Sequence, residues 1–247
     1  MPEPRILTWD IESTGLNATF GSLLCIGYKW YGHPRVYIPT ILDGKDPKAD
    51  TDMLDDHALV KGFAAVFNSA DYHVTWYGDR FDLPFIRTKL LKYGEPPLMN
   101  VPSIDLWWTA RKKFKLHNNR LASWQEYLET DHNKTPIHFG DWRRAAFGNR
   151  AALERVKLHC KMDVLSLEEV FVKFRPWLKN EPTRSWYTGD HGLACQSCGS
   201  QNITRQGFKK TKVGRRQQWQ CQDCGKWMLS RLPEKKLVRP ALVGDGP

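Results

Sequence analysis

No stretch of the 247 residues is apolar for long. None approaches the roughly 18 residues that a membrane-crossing helix needs, and the opening Met-Pro-Glu-Pro-Arg lacks the charged-then-apolar order of a secretory signal. Cysteine is sparse: four of the six stand in two Cys-x-x-Cys pairs near the end, which excludes a disulfide framework spread through the chain. There is no low-complexity tract and no internal repeat beyond those pairs. These absences leave a soluble protein, expected in the cytoplasm. Its 41% hydrophobic content suffices for one sizeable core and a small appendage.

The net charge of +10 is unevenly spread. Residues 1–180 carry 25 Lys/Arg against 22 Asp/Glu, whereas residues 181–247 carry 12 against 5. So basic a tail suits a polyanion such as nucleic acid, although a solvated surface has the same composition.

Residues 5–13 (Arg-Ile-Leu-Thr-Trp-Asp-Ile-Glu-Ser) predict a strand. Two more follow at 23–30 and 35–39, separated by the turn residues Tyr-Gly-His-Pro, as in an antiparallel meander. Residues 52–68 predict a helix with Leu54, Ala58, Leu59, Phe63 and Val66 near one face, followed by a strand at 72–77. Helices are expected at 83–93, 107–115, 121–128 and through 150–178, with a short strand at 104–106. That order predicts an α/β fold, a mixed sheet flanked by helices. Cys25, in an apolar run, reads as a small core residue, and packing is the best account of Cys160.

Four carboxylates and one histidine carry the chemistry. Asp10 and Glu12, at i and i+2 of a strand, project from one face while Trp9 and Ile11 project from the other. His159 and Asp163, at i and i+4 of a helix, also share a face. Asp82 stands between, in Arg-Phe-Asp-Leu-Pro-Phe. Converging carboxylates are what two-metal phosphodiester hydrolysis requires, and hard oxygen ligands suit Mg²⁺ or Mn²⁺. Taken singly, an Asp-x-Glu at a strand end is more often a solvated edge and a His-x-x-x-Asp pair on a helix a surface hydrogen bond, and Asp82 also reads as a helix N-cap.

Together and in this order, these segments resemble the DEDD family of 3′–5′ exonucleases, of ribonuclease-H-like fold. Asp10-Ile-Glu12-Ser-Thr14-Gly15-Leu16 is similar to its first motif, Tyr77-Gly-Asp-Arg-Phe81-Asp82 to its second and His159-Cys-Lys-Met-Asp163 to its third. The histidine four residues before the last aspartate marks the His-type branch, and the resemblance covers roughly residues 5–178. It implies that Asp10, Glu12 and Asp163 ligate one metal, with Asp10 bridging to a second that Asp82 supports through water. It implies His159 as the general base, a task suited to imidazole. Thr14 and Leu16 would contact the terminal nucleotide, with Phe81 beside it. Tyr77 departs from the pattern, since the second motif usually has asparagine there; it either stacks on a base or fills the strand end. Asp105 is read as a supporting residue rather than a ligand.

Cys195-Gln-Ser-Cys198-Gly and Cys221-Gln-Asp-Cys224-Gly are two knuckles with 22 residues between them, spacing that closes a tetrahedral structural zinc site. The residues between predict a hairpin with a basic tip, similar to the zinc ribbons of transposases and transcription factors. There Lys209, Lys210, Lys212, Arg215 and Arg216 can pair with phosphates, and Phe208 or Trp219 can stack on bases. A ribbon that only docks on protein is the competing reading.

The expectation is therefore an exonuclease-type domain at residues 1–180, a linker at 181–190, a ribbon at 191–230 and a basic, fraying tail at 231–247. The activity expected is metal-dependent 3′–5′ hydrolysis of single-stranded ends, DNA before RNA. Two rivals are an inactive nucleic-acid adaptor and an endonuclease of the ribonuclease H type, in which the second acid would come from a helix. The aromatic Trp107 and Trp108 stand as weaker candidates for substrate contact.

Overall fold

Alternation along one strand organises the larger part of the molecule. In β1 (Ile6–Ser13) Trp9 is fully buried against Phe63 and Phe67 of helix α1 (His57–Asn68), with ring centroids 4.9 and 5.9 Å away, while Asp10 meets Cys160 of helix α6 (Arg150–Phe174) on the opposite face. The pleat thus sends apolar bulk to one helical layer and carboxylates to the other. The computed structural model describes residues 4–45, 52–132, 135–179, 181, 193–211 and 214–230. Contacts divide the chain into a unit of Pro4–Asn180 and a second containing Glu181–Pro247.

The first unit is a five-stranded mixed sheet in the order β3-β2-β1-β4-β5, with β2 at Leu23–Trp30, β3 at Val36–Tyr37, β4 at Tyr72–Thr75 and β5 at Ser103–Asp105. β1 runs antiparallel to β2, pairing Asp10 with Gly27, and parallel to β4, pairing Leu7 with His73. Helix α2 spans Asp82–Tyr93, α3 Leu106–Lys113, α4 Leu121–Tyr127 and α5 Phe139–Ala146. α6 crosses β2 closely: a Cβ on Gly27 would lie 2.6 Å from Cys160 Sγ and 2.9 Å from Val164 Cγ2. A side chain there would force the helix off the sheet, at about 1–3 kcal/mol for such overpacking. Cys25 and Cys160 are both buried, as packing residues should be. None of the described helices is long and apolar enough to cross a membrane.

Several elements differ from expectation, each for a local reason. The helix expected from residue 52 begins at His57, because Asp52 accepts the N–H of Leu54 in a turn and the Asp56 carboxylate turns inward. Asp56 is fully buried; it accepts the Leu23 N–H at 2.7 Å, lies 3.1 Å from Lys89 Nζ and bonds the Tyr93 hydroxyl. The strand expected over 35–39 shrinks to Val36–Tyr37. β4 stops at Thr75, because Tyr77 takes a left-handed backbone (φ 66°) that a strand cannot continue. The helix expected through 178 ends at Phe174, and a 3-10 turn over Arg175–Trp177 absorbs Pro176. α5 was not foreseen at all.

The second unit holds a three-stranded antiparallel sheet, β6 (Ile203–Thr211), β7 (Gly214–Cys221) and β8 (Trp227–Leu229), in that order. The expected linker residues 182–190 and the tail 231–247 lie outside the described residues.

Candidate active site and metal centres

β1 and α6 bring the acidic residues together. The ligand atoms of Glu12, His159 and Asp163 lie within 4.8 Å of one another, as do those of Asp10, Glu12 and Cys160, with Glu12 common to both groups. Glu12, His159 and Asp163 are buried and Asp10 is half-buried. α6 makes this possible because its buried residues recur every three or four positions, so His159 and Asp163 lie on the stripe that packs against the sheet. Its start is fixed by Asn149, whose side chain accepts the Ala152 N–H at 2.9 Å.

His159 is oriented by residues outside the motifs. Its Nδ1 lies 3.2 Å from the Thr135 carbonyl oxygen and 3.3 Å from Thr135 Oγ1, while Nε2 lies 3.9 Å from Glu12 Oε1 and 3.7 Å from Asp163 Oδ2. A proton on Nδ1, donated to the carbonyl, leaves the Nε2 lone pair facing the carboxylates.

Asp82 approaches from α2. Among the described residues it belongs to neither group of ligand atoms within 4.8 Å, but its Oδ1 accepts the Ile11 N–H at 3.2 Å, locking it to the strand between Asp10 and Glu12. Burial pushes its carboxyl up to about 7, against the Ile11 N–H and its own N–H, which lower it, and with the charge of Asp105, which raises it further. Asp105 itself is pushed up to about 6 by burial, opposed by the N–H groups it holds. Its Oδ1 accepts from Tyr77 N (2.8 Å) and Trp107 N (3.0 Å) and its Oδ2 from Asp79 N (3.2 Å), so it both caps α3 and holds the second-motif loop in shape.

The expected substrate contacts are scattered along the rim. Leu16 is 88% exposed on the β1–β2 loop, and Phe20 on the same loop is 91% exposed. Thr14 is engaged within that loop, its Oγ1 accepting the Ser22 N–H at 2.9 Å. Phe81 is half-buried against Phe85, and Tyr77 is 39% exposed with its ring against Trp107. Phe20 escaped the sequence reading, although a large apolar residue in a loop of Asn, Thr and Gly is itself a signal.

The most consequential omission is Trp142. Its Nε1–H donates to Glu12 Oε2 at 2.6 Å, and its ring meets His159 edge to face at 5.7 Å. α5 carries it there, anchored to α6 through the buried Asp141 carboxylate, which accepts from Arg144 Nη2 (2.6 Å) and from Arg155 Nε (3.0 Å) and Nη2 (2.7 Å). Those guanidiniums hold the Asp141 carboxyl well below its ordinary range.

Two sets of residues fit metal ions. Carboxylates this close in a buried site repel one another, a cost that a divalent cation relieves, and oxygen donors of this kind suit Mg²⁺ or Mn²⁺. Cys160 adds no hard ligand; hydrogen bonding with Cys25 and burial raise its thiol well above the ordinary range. In the second unit all four cysteines of the knuckles are free thiols within 4.8 Å of one another, with Cys195–Cys224 and Cys198–Cys221 sulfur separations of 3.6 Å. Four sulfurs about 2.3 Å from a shared tetrahedral ion would stand about 3.8 Å apart, so the set fits zinc. The knuckles fold alike: Gly199 N donates to Cys195 O and Gly225 N to Cys221 O, each glycine with positive φ. In the hairpin Lys209 pairs across strands with Arg216, and Lys210 with Arg215; Lys212 lies outside the described residues.

The sequence profile of the RNase_H_2 family, of the RNase_H superfamily, matches residues 7–175. The chain belongs to this superfamily. Over 136 residues it is 27% identical to the DNA polymerase III PolC-type of Ureaplasma parvum serovar 3 (strain ATCC 700970), covering 55% of this chain and 8% of that protein. Its fold superposes on the family B DNA polymerase from the hyperthermophilic archaeon Pyrobaculum calidifontis with a TM-score of 0.54 at 17% identity, over 70% of this chain and 25% of that one. The chain thus spans less than a tenth of the first protein and a quarter of the second. The family match and the superposition agree on a ribonuclease-H-like fold for the first unit.

Proposed function

We propose that this protein is a metal-dependent 3′–5′ exonuclease that removes nucleotides from single-stranded ends, acting on DNA in preference to RNA. The observation that carries this reading is the convergence of Glu12 and Asp163 on His159 Nε2, with Asp10 beside Glu12 on the same strand face. Asp10, Glu12 and Asp163 would hold Mg²⁺ or Mn²⁺, with Asp82 in support. Ions bound there would stabilise charge developing on the phosphoryl and leaving oxygens. His159 Nε2 takes the proton of the attacking water, and the Thr135 carbonyl accepts from Nδ1–H and so stabilises the imidazolium that results. As the new P–O bond forms, the bond to the 3′-oxygen of the preceding nucleotide breaks and a nucleoside 5′-monophosphate leaves. Leu16 and Phe20, both exposed beside the strand, supply apolar surface for the terminal base, with Thr14, Phe81 and Tyr77 lining the approach.

The ribbon expected at residues 191–230 of the second unit is on this reading a structural zinc site, its folding energy supplied largely by the ion. Lys209, Lys210, Arg215 and Arg216 place like charges opposite each other across β6 and β7, an arrangement that costs stability in isolation and favours a polyanionic partner. Lys212, outside the described residues, would add one more positive charge to the hairpin. The preference for DNA draws on both named relatives being DNA polymerases.

End-labelled single- and double-stranded DNA and RNA, incubated with Mg²⁺ or Mn²⁺, test the proposal. A ladder shortening from the 3′ end with release of mononucleotides is expected; internal fragments would make the protein an endonuclease and refute it.

A further inference from the structure

Beside the second-motif loop lies a surface that, Tyr77 apart, the hydrolytic site leaves unused. Tyr77, Trp107 and Trp108 form a chain of edge-to-face rings, with centroids 4.9 and 4.8 Å apart. Three cations stand over the tryptophan faces: Arg111 over Trp107 at 5.2 Å, and Arg80 and Lys112 over Trp108 at 5.1 and 5.2 Å. Beyond Trp108 opens a cleft of about 260 Å³ whose lining includes Lys112, Lys113, Lys179 and the 55%-exposed Trp177.

The charge balance of this surface is one-sided. Asp79 and Asp105 also line the cleft, but Asp79 Oδ1 accepts from Ser103 Oγ at 2.6 Å and Asp105 is committed to three backbone N–H groups. Among the described residues none of Arg80, Arg111, Lys112, Lys113 and Lys179 forms an ion pair. Exposed cations held over rings and left without carboxylates are poised for external anions, and rings interleaved with them offer stacking surface. The tract begins at Tyr77, whose carbonyl accepts the Phe81 N–H next to Asp82, so it leads away from the rim of the carboxylate site.

We propose that this tract binds the part of a single-stranded nucleic acid lying 5′ of the terminal nucleotides, with phosphates on Arg80, Arg111, Lys112 and Lys113 and a base against Tyr77 or in the cleft between Trp108 and Trp177. The proposal deepens the exonuclease reading and rests on it for the strand's direction. It also gives Tyr77 a role: its left-handed backbone, maintained by Asp105, aims the ring at Trp107 and away from the strand end.

The test uses the full chain with Asp10→Ala, to prevent degradation, and a fluorescein-labelled 20-nucleotide oligodeoxythymidine followed by anisotropy across a salt series. Adding Lys112→Ala and Lys113→Ala should weaken binding about tenfold at low salt and flatten the slope of log K against log salt by about 0.7 for each phosphate no longer neutralised. The charge-matched pair Lys61→Ala and Lys92→Ala, on α1 and α2, should leave both unchanged. An equal loss from the two pairs, or no loss from the first, overturns the tract. In the active chain, the p-nitrophenyl ester of thymidine 5′-monophosphate has no nucleotide 5′ of the scissile bond to occupy the tract. Lys112→Ala with Lys113→Ala should hydrolyse it at the parent rate while KM for the 20-nucleotide strand rises. If the parent cleaves neither substrate, the exonuclease reading fails, while the binding arm still decides the tract.

Discussion

Trp142 on α5 donates its indole N–H to Glu12 Oε2 at 2.6 Å, so one candidate metal-binding carboxylate is oriented by a residue 130 positions away in the chain. The same ring sits edge-on to His159, which places carboxylate and imidazole against one aromatic wall.

Replacing Trp142 by phenylalanine keeps the wall and removes the hydrogen bond. A positioning role predicts a loss of about 10–100-fold in apparent metal affinity or activity, the usual cost of deleting a group that orients a ligand. Activity titrated against Mg²⁺ concentration checks it: the half-saturating concentration should rise while the melting temperature changes little. An unaltered metal titration with a lowered melting temperature would make Trp142 merely a packing residue.

His159→Ala should slow turnover by about 10²–10⁴-fold, the range for loss of a general base. Asp10→Ala or Asp163→Ala should abolish hydrolysis while leaving the fold intact, because removing one of several mutually repelling carboxylates relieves the metal-free site. Single-turnover rates alongside circular dichroism melts test both, and full activity in the two aspartate variants would refute the site assignment.

His73 makes an acid-side stability prediction. It is fully buried, its Nδ1 accepts the Trp9 Nε1–H at 3.2 Å, and its Nε2 has no hydrogen-bond partner among the described residues. Burial, aided by the charge of Arg87, lowers its pKa to about 3. The unfolded chain takes up this proton below about pH 6.5, whereas the folded chain resists it down to about 3, so His73 costs stability as pH falls through that window. The slope approaches about 1.4 kcal/mol per pH unit. His73→Asn, which retains an acceptor for Trp9, should flatten denaturant-derived stability between pH 6.5 and 4; parallel curves would disprove the account.

For the ribbon, Cys198→Ser should lower bound zinc and unfold the second unit, since so small a core depends on its ion. Zinc released on thiol modification, compared with the parent, measures the first effect. A reduced salt slope for single-strand binding measures the second, and an unchanged slope would mean that the basic hairpin contacts no phosphates.

The order of elements and the pairing of Asp10 with Glu12, and of His159 with Asp163, were legible in the sequence because both follow from local periods, 2 in a strand and 3.6 in a helix. The cysteine spacing was legible for a similar reason: each knuckle is a local turn that closes on its own backbone. α5 was not, because its eight residues include a glycine and the N-cap of its capping box is His138 instead of Ser, Thr, Asp or Asn, with Asp141 accepting the His138 N–H. Its position depends on Asp141 meeting Arg155 of α6, a contact between segments that no local period encodes.

By itself, then, the sequence determined which carboxylates face together, which thiols gather in one cluster and where basic charge gathers. Only the tertiary structure decided which neighbours govern them: Trp142 on Glu12, Thr135 on His159, Ile11 N–H on Asp82, and Asp105 on the backbone of Tyr77. The reason is physical: pairs on one element are fixed by backbone geometry, whereas these four join separate segments and exist only once the sheet and α6 have packed.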